Sequence, residues 1–262
     1  MLTEAVINYA ARTDYRPRYF ANDHSRDTVM INPVTMPFID GRRTSASLDQ
    51  QGFALVNHAS AIADFVDMGD SAQLYAQEIR TLLLEHSGAD EVVITGPGIV
   101  RFSERSPNAG TLNNSMPARF AHIDITPETA AGFAARGAAE GKPMQRYAHF
   151  NVWRCFSGAP QDVGLAVCDA QSVKADDLIE ADAIFDQPGK PDWGFAGHIV
   201  AHNPAHRWHW FANMTRDEAL IFKTSDSTLG NAVPHVAFDN PNVPADCHPR
   251  ASIEMRAMAI WH

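Results

Sequence analysis

The sequence predicts a mainly β fold with flanking helices, a barrel or two-sheet jelly roll of the cupin-like kind. From Glu91 onward, short runs rich in Val, Ile and Phe alternate with clusters of Gly, Pro, Asn and Asp, the signature of strands and turns. Such runs crowd the second half, at residues 146–156, 163–168, 197–203, 207–211, 218–224, 233–238 and 253–261. No internal repeat, low-complexity tract or linker divides the 262 residues, so they read as a single domain, 1–262.

In chain order, residues 1–90 read as an irregular N-terminal arm plus a bracing helix, ahead of a jelly-roll core at 91–262. Turn formers such as those in NPVTMPFIDGRR interrupt the arm, leaving short strands at 36–40 and 53–57. Residues 71–86 carry Leu74, Tyr75, Ile79, Leu82 and Leu83 at helical spacing behind Ser71 as a cap. EVVITGPGIVRFS predicts a pair of strands, and SPNAGTLNNSMPA a polar loop leading into a strand at His122. Residues 127–140 predict a short helix with Thr126 as cap and Pro127 in the first turn.

A hydrophobic share of 45% and a charged share of 20% are those of an ordinary globular protein, and the length suffices for a sizeable core. The net charge of −10 argues against nucleic acid or an anionic membrane as partner. Cys155, Cys168 and Cys247 form no CxxC pair and no metal-ligand spacing, which fits free thiols in a reducing compartment. With no apolar run long enough to span a membrane and no basic leader, a soluble cytoplasmic protein is expected. The arm is long enough to reach a neighbouring subunit, so a homo-oligomer is among the expectations.

The stretch ARFAHIDIT sets His122 and Asp124 two apart on a strand, so both side chains leave one face. Joined by a second histidine, they would form the two-histidine, one-carboxylate triad that holds non-haem Fe(II) and leaves positions open. The candidates downstream are His149, His198, His202, His206, His209, His235, His248 and His262. His235 is favoured, because it opens the late apolar run HVAFD, whereas His202, His206 and His209 lie in an aromatic stretch that reads as packing. In RASIEMR, Arg250, Ser252, Glu254 and Arg256 alternate with Ala251, Ile253 and Met255, which sets the two arginines and the serine on one face. A guanidinium beside a hydroxyl suits the far carboxylate of a 2-oxo acid.

Collinear with the HxD pair, NVWR at 151–154, GLAVCD at 164–169, DEALIFKTSDS at 217–227, PHVAF at 234–238 and RASIEMR resemble the cephalosporin methoxylase, gibberellin desaturase and AsaB-type hydroxylase/desaturase family. The resemblance covers the chain from about Phe102 onward; it departs where Cys155 stands in place of a proline. It implies a double-stranded β-helix, Fe(II) as metal and 2-oxoglutarate as cosubstrate, with O2 and a small molecule of secondary metabolism as substrates. His122, Asp124 and His235 would be the iron ligands, and Arg250, with Ser252 or Arg256, would bind the distal carboxylate. The RxSIExR spacing is also similar to the two-arginine arrangement of AlkB-like oxygenases.

Asn151, Trp153 and Arg154 would lie near the cavity, Arg154 binding a carboxylate or pairing with Asp169. Phe120 and the aromatic segment 208–211, with Trp210 inside it, would suit an apolar wall beside the substrate. Lys223, Asp226 and Ser227 read as a turn that holds structure. The carboxylate of Asp124 points away from halogenation, which needs that position open, and toward hydroxylation, desaturation or cyclisation. Two rivals remain: a cupin-like metal enzyme that does not use 2-oxoglutarate, and a non-catalytic jelly-roll binding module.

Overall fold

A computed structural model describes residues 4–137 and 142–262. The first half contributes β1 (Glu4–Ala10), β2 (Arg18–Phe20), β3 (Ile31–Asp40), β4 (Phe53–Asn57), α1 (Ala72–Ser87), β5 (Glu91–Ile94), β6 (Ile99–Phe102), β7 (His122–Ile123) and α2 (Pro127–Gly137). The second half contributes, beside 3-10 turns at Ala170–Ser172 and Ala175–Asp177, the strands β8 (Arg146–Cys155), β9 (Val163–Cys168), β10 (Leu178–Phe185), β11 (Trp193–Val200), β12 (Trp208–Trp210), β13 (Glu218–Asp226), β14 (His235–Asp239) and β15 (Ala251–Trp261). They form a nine-stranded sheet in the order β1-β3-β12-β9-β14-β7-β11-β10-β2 and a six-stranded sheet in which β13, β8 and β15 are central. This is the expected mainly β jelly roll.

Side-chain alternation on the central strands explains the layering. On β8, Ala148, Phe150 and Val152 join Ile253, Met255 and Ala257 of β15 in a core beneath α1. The intervening residues of both strands, among them Asn151, Trp153, Arg250 and Glu254, face the space between the sheets. Helix α1 buries Tyr75, Ile79, Leu82 and Leu83 there and stops at Gly88, whose left-handed backbone (φ 66°) costs a glycine little. Two details differ from the sequence reading. Leu74 is 48% exposed, and Ser71 ends a preceding 3-10 turn, so its hydroxyl donates to the Met68 carbonyl instead of capping the helix. In α2 the expected cap holds, Thr126 Oγ1 accepting from the Thr129 amide; positions 138–140 of that expected helix lie outside the described residues.

The first ninety residues are not the irregular arm expected. Antiparallel β1 and β3 join the nine-stranded sheet through β12, and β1 folds back to pack on β14 and β11. Pro33 and Pro37 masked β3. They stand four apart, so both nitrogens face the same side of the strand, and β12 pairs only with Phe38–Asp40, leaving the edge beside them without a partner strand. β10 was missed because its buried face is made of Ala181 and Ala183, weak strand formers, while Glu180 and Asp182 pair outward with Arg16. The run EVVITGPGIVRFS does give two strands, but not a hairpin: β5 and β6 lie end to end along β15.

Leu83→Ala is expected to lower the unfolding free energy by about 2–5 kcal/mol. Leu74→Ala on the exposed side of α1 should change it by less than about 0.5 kcal/mol. Chemical denaturation of the two variants checks the pair.

Candidate functional site

The site is built on the shortest strand. β7 lies between β14 and β11, and His122 is the direct cross-strand partner of His235, their rings 4.2 Å apart between centroids. Asp124 follows two residues on and turns the same way. Its Oδ1 lies 3.4 Å from Nε2 of His122 and 3.7 Å from Nε2 of His235. Each imidazole pairs its other nitrogen with a carbonyl two residues back, Nδ1 of His122 with Phe120 at 2.9 Å and Nδ1 of His235 with Val233 at 3.2 Å. Such bonds place the proton on Nδ1 and leave the Nε2 lone pair toward the carboxylate, as metal-binding histidines require. Donor atoms of all three residues lie within 4.8 Å of one another, and two imidazoles with one carboxylate are a donor set suited to ferrous iron.

The outer oxygen of Asp124 is held from the opposite sheet. Asn151 Nδ2 of β8 donates to Oδ2 at 2.8 Å, and Arg256 Nη2 of β15 lies 3.4 Å away. Burial alone would raise the Asp124 pKa, but the neighbouring Arg256 charge opposes it and the group is held well below the usual carboxylate range. His235, buried beside His122, is pushed down to about 3 and is neutral at physiological pH. Arg256 also donates to Glu254 at 3.0 Å; burial opposes its charge, but the two carboxylates lift its pKa above the ordinary value. Nε and Nη2 of that guanidinium are therefore engaged.

Arg250 is different. It is 1% exposed, and its Nε and Nη1 have no hydrogen-bond partner among the described residues. Its guanidinium lies 5.8 Å from the Trp153 ring centroid, and its cavity is shared with His122, Asp124, His235 and Glu254. Burial, with repulsion from Arg119 and Arg101, pushes its pKa down to about 10, so it remains a cation at neutral pH. An unpaired charge in such a place is costly unless an anion arrives. This fits the distal carboxylate of 2-oxoglutarate. Ser252 lies on the same face, fully buried, its hydroxyl donating to the Arg101 carbonyl at 3.5 Å.

Two expectations are corrected. Arg154 points to the α1 side of the sheet, where it donates to the carbonyls of His58 and Arg216 and meets His58 Nδ1 at 2.6 Å. Period-two alternation puts it opposite Asn151 and Trp153, outside the space between the sheets, and Asp169 pairs with Arg207 instead. Trp210 faces the outer core with Phe238, away from the cluster, because it alternates with His209. Phe120 does line a cavity beside His122 and Asp124.

Among the other histidines, His206 bonds Asp177 and Tyr9, His202 packs on Tyr9 and His209 on Phe53, a packing stretch as expected. Lys223 and Asp226 close a buried turn network with Arg146. Residues missed from sequence are Arg101, Tyr19 and Glu254, which line the cavities around Asp124. Tyr19 comes from unrecognised β2. Glu254 was visible in the alternation of β15 but had been given no role.

The model of a family described as "Oxidoreductase/YMDC permease-like domain" matches residues 7–260. The hydroxylase/desaturase efuI of Hormonema carpetanum is 30% identical over 87% of this chain and 83% of that protein. The Fe(II)/2-oxoglutarate-dependent dioxygenase nvfI of Aspergillus novofumigatus is 28% identical over 87% and 84%. A variant of the iron and alpha-ketoglutarate-dependent endoperoxidase NvfI superposes with a TM-score of 0.82 at 25% identity, covering 98% of this chain and 96% of that one. Among the described residues no helix is long and apolar enough to cross a membrane.

Two buried histidines set an acid limit on the metal-free fold. Burial pushes His149 down to about 4, and His235 lies near 3, both below the ordinary histidine value of 6.5. Their contribution is complete above about pH 6.5 and is lost as pH falls toward 4, because the unfolded chain then binds protons that the folded one refuses. Each site contributes a slope of about 1.4 kcal/mol per pH unit at most. Denaturation midpoints between about pH 7 and pH 5 should fall more gently in His149→Leu than in the wild type.

Proposed function

The chain belongs to the oxidoreductase/YMDC permease-like domain family and is an Fe(II)- and 2-oxoglutarate-dependent oxygenase of small molecules, and we propose that His122, Asp124 and His235 hold its iron while Arg250 anchors the cosubstrate. With iron bound, 2-oxoglutarate and O2 supply an oxidant that takes a hydrogen atom from an unactivated carbon, leaving succinate and CO2. Everything else in the site prepares for that chemistry. The Phe120 and Val233 carbonyls fix the tautomer and rotation of the two histidines. Asn151 and Arg256 hold the far oxygen of Asp124, which keeps the carboxylate ionised and turned inward. Trp153 and the sheet wall keep water from Arg250, so that its charge acts at low dielectric on an arriving carboxylate.

The observation that carries the assignment is the buried, half-unpartnered guanidinium of Arg250 in the same cavity as the three donor atoms. A metal enzyme that did without a 2-oxo diacid would have no use for it. Ser252 stands beside it as a second polar group, and Arg256 is assigned to positioning Asp124. The outcome of hydrogen abstraction is hydroxylation, desaturation or cyclisation of a small molecule of secondary metabolism. Three free, buried cysteines support a cytoplasmic location.

Anaerobic titration tests the assignment. Fe(II) followed by 2-oxoglutarate should give the weak visible absorption of a keto acid bound to ferrous iron. His235→Ala should abolish it, and Arg250→Ala should demand roughly a hundredfold more 2-oxoglutarate, about 2.7 kcal/mol for a charge-assisted bidentate contact. Normal cosubstrate affinity in Arg250→Ala would refute the anchor. Iron binding without the band would favour a cupin-like enzyme.

A further inference from the structure

A larger cavity, of about 420 Å³, also touches Asp124 but excludes Arg250. That is the size of pockets that enclose small organic molecules. Its apolar wall comes from Phe133 of α2 and from Trp193 and Phe195 of β11. Phe133 and Phe195 meet edge to face at 5.4 Å, and Trp193 stacks on Phe185 at 4.4 Å. Trp193 is nevertheless 59% exposed, which leaves a large apolar face in water at the rim of the cleft.

One polar side chain in this wall has nothing to do. His149 of β8 is 5% exposed, and neither ring nitrogen has a hydrogen-bond partner among the described residues. Phe133 and Tyr147 flank the ring at 6.2 and 5.9 Å. As a neutral imidazole it offers one N–H and one lone pair, and leaving such groups unmet in the interior costs about 1–3 kcal/mol each. Of the two arginines lining the cleft, Arg256 is engaged by Asp124 and Glu254, and Arg136 is exposed, its guanidinium over the Phe133 ring at 4.9 Å, so the cleft lacks the unpaired buried cation that marks the Arg250 cavity.

We propose, resting on the oxygenase assignment above, that this cleft receives the substrate, an uncharged and largely apolar ring compound whose hydroxyl or carbonyl oxygen bonds to His149 while its carbon skeleton lies against Phe133, Trp193 and Phe195. Asp124 lines the floor of the cleft, so a skeleton held there brings a C–H bond toward the cluster. The bond to His149 makes the orientation selective. His149 is in this sense a specificity-determining residue.

A matched pair of probes tests the cleft without knowledge of the natural substrate: 4-phenylcyclohexanone and phenylcyclohexane, which differ by one carbonyl. Each is titrated anaerobically into protein carrying Fe(II) and 2-oxoglutarate, with tryptophan fluorescence and saturation-transfer NMR as readouts. The ketone should bind at least about tenfold more tightly than the hydrocarbon, a difference of 1.4 kcal/mol. His149→Leu should erase that preference, His149→Gln should keep part of it, and Phe195→Ala should weaken both probes alike. Equal binding of the two probes to the wild type, persistence of the preference in His149→Leu, or no binding of either probe overturns the proposal. The keto-acid absorption recorded in the same samples separates the two levels: an intact band without ketone preference sinks the cleft alone, whereas a missing band in the wild type sinks the oxygenase assignment.

Discussion

A carboxylate stays ionised inside a protein only if cations and donors surround it, and the structure is arranged around meeting that condition at Asp124. The residue sits on one sheet with its two histidines, while Asn151 and Arg256 reach it from the other. The two sheets are thus tied together at the site itself by polar contacts, where a jelly roll elsewhere relies on apolar packing such as that of Phe53, Leu220 and Phe222 with Val167 of the other sheet. The charge of Arg256 is shared between Asp124 and Glu254, which frees Arg250, six residues earlier on the same face, to remain unpaired. Division of labour between two arginines follows from where the acids are.

Much of this was legible in the sequence because strands have a period of two. The alternation of RASIEMR was enough to place both arginines inward, and HID was enough to place a histidine and an acid together. What the period could not reveal was which arginine an acid would capture, since that depends on Asp124 arriving from the other sheet. The same rule, applied to NVWR, should have separated Arg154 from Asn151 and Trp153. The family resemblance brought all three together as neighbours of one cavity, and the pleat sends the arginine to the far side, against His58 and Arg216.

The N-terminal strands and β10 were hidden for reasons that are local. Prolines and asparagine interrupt β3, and alanines make the buried side of β10, so neither shows an unbroken alternation of large apolar residues. Their pairing is decided by distant partners: β3 runs parallel to β12, and β2 parallel to β10, each more than 150 positions away. His149 was weighed as a metal ligand and set aside. Its unmatched ring nitrogens could not be seen before α2 and the β10–β11 hairpin were known to close around it.

The placement of β15 has a consequence for how the protein is made. It lies in the middle of the six-stranded sheet, paired on one side with β8 and on the other with β5 and β6, yet it is the latest strand in chain order. Until residues 251–261 have left the ribosome, β8 and the β5–β6 segment have no common neighbour, the core beneath α1 lacks Ile253, Met255 and Ala257, and Arg256 of the site is missing. The nascent chain must therefore hold an open sheet edge until those residues emerge. Folding of this architecture is dominated by long-range closure, which makes it slow and dependent on protection of that edge from other chains.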